Sequence, residues 1–236
     1  DMEGCGLAQM TGDYDAKTKT WTWSGDTPNG PMRSVFVHDD AEHATETCYM
    51  VAAAGDKQCM QMKRTRSKSP RAKDASAEVP TNPSKEEKVL LADLGNWDAT
   101  LSIAAGEGQT PMVEHATEAV RSVCHGKWTW TDYNGSMMGA PFEGHALTGY
   151  DPASKQFVSF WIDTMESGVM RTAGTYDEAG KVAHFTGTAA GEGGQPMAVD
   201  QTMTRKADGS RVLLMKFGAG EQTMQMTITY QRQKAK

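Results

Sequence analysis

The sequence predicts an all-β fold: an antiparallel up-and-down barrel of about ten strands with one short N-terminal helix, preceded by a partial (half) barrel repeat. Three observations favour this fold. From Asn96 onward, segments rich in β-branched and aromatic residues alternate with glycine-bearing turns at spacings of about ten residues. One helical pattern precedes these segments and none separates them, so each strand can pair with the next. The sequence of residues 1–66 resembles that of residues 163–231, which indicates an internal repeat.

The centre of the predicted barrel is a hairpin. Residues 142–150 carry β-formers between glycines, and residues 156–164 are aromatic and β-branched. Asp151-Pro152-Ala153-Ser154 between them supplies turn chemistry. The complete set of predicted strands is 96–104, 111–123, 126–133, 142–150, 156–164, 168–176, 182–189, 196–204, 211–217 and 222–231.

A helix is predicted just before the first of these strands. Ser84 is followed three residues later by Glu87, which is the spacing of a capping box. The helix should run to about Asp93, and its buried side is expected to consist of Val89, Leu90, Leu91 and Leu94. Gly95 should end it because glycine tolerates left-handed dihedral angles.

The repeat predicts the domain organisation. AAAGDKQCMQM, ending at Met62, corresponds to FGAGEQTMQM, ending 164 positions later at Met226. Residues 1–66 therefore contain only the later half of the unit, residues 67–83 with three prolines are a linker, and residues 84–236 form a complete barrel. A half barrel leaves strand edges unpaired. We therefore expect it to be completed by upstream residues, the second domain or another chain, which includes homo-oligomer formation.

Composition excludes several classes of partner. A net charge of -6 and a pI near 5.5 argue against nucleic acid, which needs clustered basic residues. No apolar run is long enough for a transmembrane helix. The four cysteines have no metal-ligand spacing. The chain starts at Asp1 without an initiator Met, so we expect a removed targeting segment or a start inside a longer polypeptide, with a periplasmic or secreted location in a bacterium.

Two motifs carry a resemblance to known proteins. Gly95-Asn96-Trp97 directly after a short helix is similar to the GxW signature of lipocalin-type (calycin) barrels. That resemblance implies that Trp97 plugs one end of the barrel and that Arg232 packs over it. GSMMGAPFEGHALTGYD (135–151), FWIDTMESG (160–168), GTYD (174–177) and the closing ITYQR resemble the bacterial domain-of-unknown-function family fifteen seventy-nine over residues 86–232. This second resemblance implies a ten-stranded barrel and no established reaction.

A barrel of eight to ten strands can enclose a small ligand or be filled by its own side chains. The first alternative predicts non-enzymatic binding of a small apolar or amphipathic ligand. The residues expected to line or rim that site are Phe142, His145, Tyr150, Trp161 and Asp163. No cofactor is identified by the sequence.

Two further hypotheses stay open. The protein could be an assembly subunit that pairs with another chain through the edges of residues 1–66. It could also be an uncharacterised enzyme or haem protein that uses His145, which shares a strand face with Glu143. The sequence contains no nucleophile elbow, P-loop, dinucleotide fingerprint or HExxH motif, and it assigns no catalytic residue and no metal ligand.

Overall fold

The structure, a computed structural model, describes residues 8–27, 29–66, 79–103, 110–165, 168–218 and 223–234. The chain divides into two compact units, residues 1–73 and residues 74–236. Most of the predicted linker, 67–83, lies outside the described residues. No helix in the described ranges is both long and apolar enough to cross a membrane.

The first unit is a five-stranded antiparallel sheet. Its strands are β1 (Gln9–Asp15), β2 (Thr20–Thr27), β3 (Gly30–His38), β4 (His43–Met50) and β5 (Lys57–Thr65), and each pairs with its neighbours in chain order. Within the described residues, β1 and β5 each pair with one strand only. The sheet therefore has two outer strands and does not close on itself.

Aromatic side chains are concentrated on one face of this sheet. Trp21 is the cross-strand partner of Phe36, and Trp23 stacks on Trp21 with ring centres 5.3 Å apart. The same cross-strand row continues through Glu46 of β4 to Met62 of β5. This face is therefore aromatic on β2 and β3 and mixed on β4 and β5.

The second unit is a closed ten-stranded antiparallel barrel. Its strands follow one another around the barrel in chain order, and the last strand closes it by pairing with the first. The strands are β6 (Gly95–Ile103), β7 (Met112–Val123), β8 (Trp128–Met137), β9 (Ala140–Asp151), β10 (Gln156–Asp163), β11 (Met170–Asp177), β12 (Val182–Ala190), β13 (Pro196–Arg205), β14 (Arg211–Phe217) and β15 (Met224–Arg232). The predicted fold class is confirmed.

The helix α1 (Lys85–Leu91) precedes the barrel and has the predicted capping box. The Ser84 hydroxyl accepts from the Glu87 amide at 3.0 Å, and the Glu87 carboxylate accepts from the Ser84 amide at 2.8 Å. The helix ends at Leu91, two residues before the expected end, and Gly95 opens β6 with a φ of +120°. Gly95 therefore turns the chain from helix to strand instead of capping the helix.

Candidate ligand-binding cavity

The barrel encloses a cavity of about 390 Å³. Because side chains alternate along a strand, every second residue of each strand faces this cavity. The helix α1 lies at the end of the barrel where β6 begins and where β13 and β15 end. It contributes Val89 and Leu90 to the lining, and Asp93 just after the helix also lines the cavity. We call this end the base. At the opposite end, the mouth, Met137, Met138 and Met165 line the cavity.

Three aromatic side chains form one wall of the cavity. Phe142 and Trp161 stack at an interplanar angle of 20°, with ring centres 6.3 Å apart, and Tyr133 makes edge contacts with both. The Trp161 Nε1 donates to Asp163 Oδ2 at 2.7 Å, which fixes the indole. Gly144 makes room for this ring, since a Cβ at that position would lie 2.2 Å from Cζ2 of Trp161.

The opposite wall is aliphatic and rich in methionine. It is formed by β6 and by β13 to β15, and its residues share an inward position on those strands: Leu101, Ile103, Met203, Leu213, Met215, Met226 and Ile228. Methionine side chains are flexible and polarisable, so such a wall adapts to ligands of different shapes.

The structure brings three of the five predicted site residues together at the cavity. Phe142, Trp161 and Asp163 line it. Tyr150 is not among the described lining residues; it packs against Phe157 near the base, with ring centres 5.2 Å apart. His145 is not among them either, because strand alternation places it on the face of β9 opposite Phe142.

His145 belongs to a polar cluster on the outer face of the barrel. Its Nδ1 lies 2.8 Å from Asp132 Oδ1 and its Nε2 lies 3.1 Å from Glu143 Oε1. The Asp132 carboxylate also accepts from Trp130 Nε1 at 2.7 Å. Both ring nitrogens therefore face carboxylate oxygens, and nothing in this arrangement favours a haem ligand or a general base in the cavity. Within the described residues, no group of three or more His, Cys, Asp or Glu could hold a metal ion.

The base of the barrel is built around Trp97, which is 2% exposed. The guanidinium carbon of Arg232 lies 4.2 Å from the centre of the Trp97 ring, and the guanidinium nitrogens donate to the carbonyls of Ala92 and Leu94, just after α1. Arg211 also contacts Trp97, at 4.1 Å. The contact predicted for Arg232 is therefore present, while the role of Arg211 was missed. The sequence does contain a signal for a buried role of Arg211, since it is a charged residue at an inward position of an apolar strand.

The charges at the base compensate one another. Arg211 forms ion pairs with the carboxylates of Glu118 and Asp93, and Arg205 binds Asp93 at 2.8 Å. Burial raises the pKa of Glu118 to about 7, and the negative charge of Asp93 also raises it, whereas Arg211 lowers it. Because these groups all border the cavity, its base presents two cations that already have carboxylate partners.

Comparison with known proteins agrees with the fold. The family model described as "Protein of unknown function (DUF1579)" matches residues 82–232. Among solved structures, the chain is similar to the "Crystal Structure of Rv2717c from M. tuberculosis", with a TM-score of 0.50 and 13% identity, over 65% of this chain and 100% of that chain. At this identity the likeness shows the fold alone. No curated protein matches the sequence.

Proposed function

The chain belongs to the family of proteins of unknown function DUF1579, and we propose that its lipocalin-like barrel binds a small apolar or amphipathic ligand without transforming it. The observation that carries this proposal is the cavity inside the closed barrel. Its volume of about 390 Å³ falls within the range of about 300–1,000 Å³ that is usual for ligand pockets.

The lining supports an apolar ligand. Aromatic rings form one wall and methionine and aliphatic side chains form the other, while the charged groups are concentrated at the base, apart from Asp163 near the mouth. Burial of apolar ligand surface would supply the binding free energy, and the few polar groups would orient the ligand.

Binding is tested with N-phenyl-1-naphthylamine, an uncharged probe that fluoresces in apolar surroundings. We expect saturable enhancement of its fluorescence with the wild-type chain. In the variant Ala146→Phe, a ring is added to a residue that lines the cavity and pairs with Trp161. This variant should bind the probe about tenfold more weakly, a loss of about 1.4 kcal/mol.

The matched control is Ala119→Phe. Ala119 is exposed on the outer face of β7, between the inward residues Glu118 and Val120. This variant should bind the probe as the wild-type chain does. Equal probe affinity in the two variants, or no saturable binding by the wild-type chain, would refute binding in the barrel.

Pairing with another chain through residues 1–66 stays a prediction. The observation that supports it is the open five-stranded sheet, whose outer strands β1 and β5 each have one partner within the described residues. Outer strands present unpaired backbone groups that can receive a further strand. Light scattering on the full chain should give a mass above that of one chain, 25.6 kDa. A single-chain mass at all concentrations would contradict self-association.

A further inference from the structure

Hydroxyl side chains occupy one continuous row of the barrel wall. The strands β7 to β11 pair so that one residue from each lies in the same cross-strand row, and all five residues are serine or threonine: Ser122, Thr129, Thr148, Ser159 and Thr172. Sequence position alone does not show this row, because the residues are spread over 51 positions from Ser122 to Thr172. It is a band of hydroxyl groups between the aromatic residues near the mouth and the charged residues at the base.

The middle of the row lines the cavity. Thr129, Thr148 and Ser159 border it, whereas Ser122 and Thr172 are buried to 3% and 2% exposure outside the lining. The Thr129 hydroxyl donates to the Thr148 carbonyl at 3.4 Å. The hydroxyls of Thr148 and Ser159 lie 2.9 Å apart, and either can be the donor.

The hydroxyls of Thr148 and Ser159 can act as hydrogen-bond donor or as acceptor towards a ligand. Each hydroxyl has one hydrogen to donate and two lone pairs to accept with. Their mutual bond uses one hydrogen, and the other hydrogen has no acceptor among the described residues. Reversing the bond changes which oxygen donates outward. The pair can therefore donate to a carbonyl oxygen or accept from a hydroxyl group.

The charged groups that line the cavity disfavour an anion. They are Asp93, Glu118, Asp163, Arg205 and Arg211, and the described lining contains no lysine or histidine. Both arginines already bind carboxylates. An anionic ligand would thus add a negative charge to an interior with two cations and three carboxyl groups, and a buried charge without a partner is costly.

The two facing walls of the cavity suit a ring. The stacked pair Phe142 and Trp161 presents aromatic surface on one side. On the other side Met203, Met215 and Met226 present thioethers, which make favourable contacts with aromatic rings. A ring between these walls would carry its substituent within reach of the hydroxyl row on β8 to β10.

We propose that the cavity binds an uncharged ring compound that carries a hydroxyl or carbonyl oxygen, with that oxygen hydrogen-bonded to the row formed by Thr129, Thr148 and Ser159. This inference rests on the proposed function, because it names the chemical class of the ligand for the same cavity.

The test uses three probes with one ring system: naphthalene, 2-naphthol and 2-naphthoate, measured by equilibrium dialysis at neutral pH. The full chain should bind 2-naphthol most tightly, naphthalene more weakly and 2-naphthoate most weakly. The double variant Thr148→Val with Ser159→Ala should lose about tenfold in affinity for 2-naphthol, the effect of one or two hydrogen bonds. Its affinity for naphthalene should be unchanged.

The control is Thr186→Val, a hydroxyl removed from an exposed, outward position of β12. It should bind all three probes as the wild-type chain does. Ser159→Ala alone replaces the double variant if the latter does not fold, with the same direction of change expected.

The outcomes separate the two proposals. If neither naphthalene nor 2-naphthol binds, the proposed function itself fails. If naphthalene binds, but 2-naphthol has equal affinity for the wild-type chain and the hydroxyl variant, the row does not recognise the oxygen and this inference is overturned while the cavity stands. Binding of 2-naphthoate as tight as that of 2-naphthol would overturn the requirement for an uncharged ligand.

Discussion

Gly144→Ala tests how closely the aromatic wall of the cavity is fitted. A Cβ at Gly144 would lie 2.2 Å from Cζ2 of Trp161. Carbon atoms pack at about 3.5 Å or more, so the indole must shift by about 1.3 Å. Because Gly144 shares the inward face of β9 with Phe142, the added Cβ would push the ring away from the strand, and the bond from Nε1 to Asp163 would have to lengthen or turn. We therefore expect the ring to move into the cavity, with about a tenfold loss of affinity for N-phenyl-1-naphthylamine.

Gly149→Ala is the matched control on the same strand. Its Cβ would lie 2.3 Å from the ring of Trp128, an equally severe contact on the outer face of the barrel. Each substitution should lower the free energy of unfolding by about 1–3 kcal/mol, which is typical of overpacking. Fluorescence titration should show the loss of affinity in Gly144→Ala only. Equal affinities in the two folded variants would refute the claim that Trp161 forms the wall of a binding cavity.

Three other substitutions test the base and the core. Between about pH 4.5 and pH 7, folded Glu118 keeps a proton that the unfolded chain has lost, because its pKa is raised to about 7. As the pH rises through this range, the free energy of unfolding of the wild-type chain, measured with urea, should fall relative to that of Glu118→Gln by up to about 3 kcal/mol. The same pH dependence of the free energy of unfolding in both chains would contradict this. Leu101→Ala removes a side chain that is 1% exposed and should cost about 3 kcal/mol, whereas a cost below about 1 kcal/mol would mean a loosely packed core. Arg232→Met removes the contact with Trp97 and should cost about 1 kcal/mol in the same assay; an unchanged free energy of unfolding would show that this contact is not needed.

The sequence predicts the barrel well because its signals are local. The ten predicted strands correspond in order to β6 to β15, and the turn after Asp151 is held by the Asp151 carboxylate, which accepts from the Ala153 and Ser154 amides. Ser84 and Glu87 likewise identify the start of α1 through chemistry that spans three residues. Such signals do not depend on distant parts of the chain.

The cavity is harder to predict because it depends on contacts between distant residues. Strand alternation in the sequence already separates His145 from Phe142, but it does not say which of the two faces of β9 points into the cavity. Arg211 reaches Glu118 across 93 positions. Whether a barrel is filled or hollow depends on how all the inward side chains pack, and no single segment carries that information.

The most direct test of the central claim is native mass spectrometry of the full chain purified from its source, compared with the mass after denaturation. Ligand binding in the barrel predicts an additional mass on the native chain that disappears on denaturation and is carried by a smaller fraction of Ala146→Phe prepared in the same way. A native mass equal to the denatured mass, together with failure to bind naphthalene and N-phenyl-1-naphthylamine, would contradict a ligand-binding barrel.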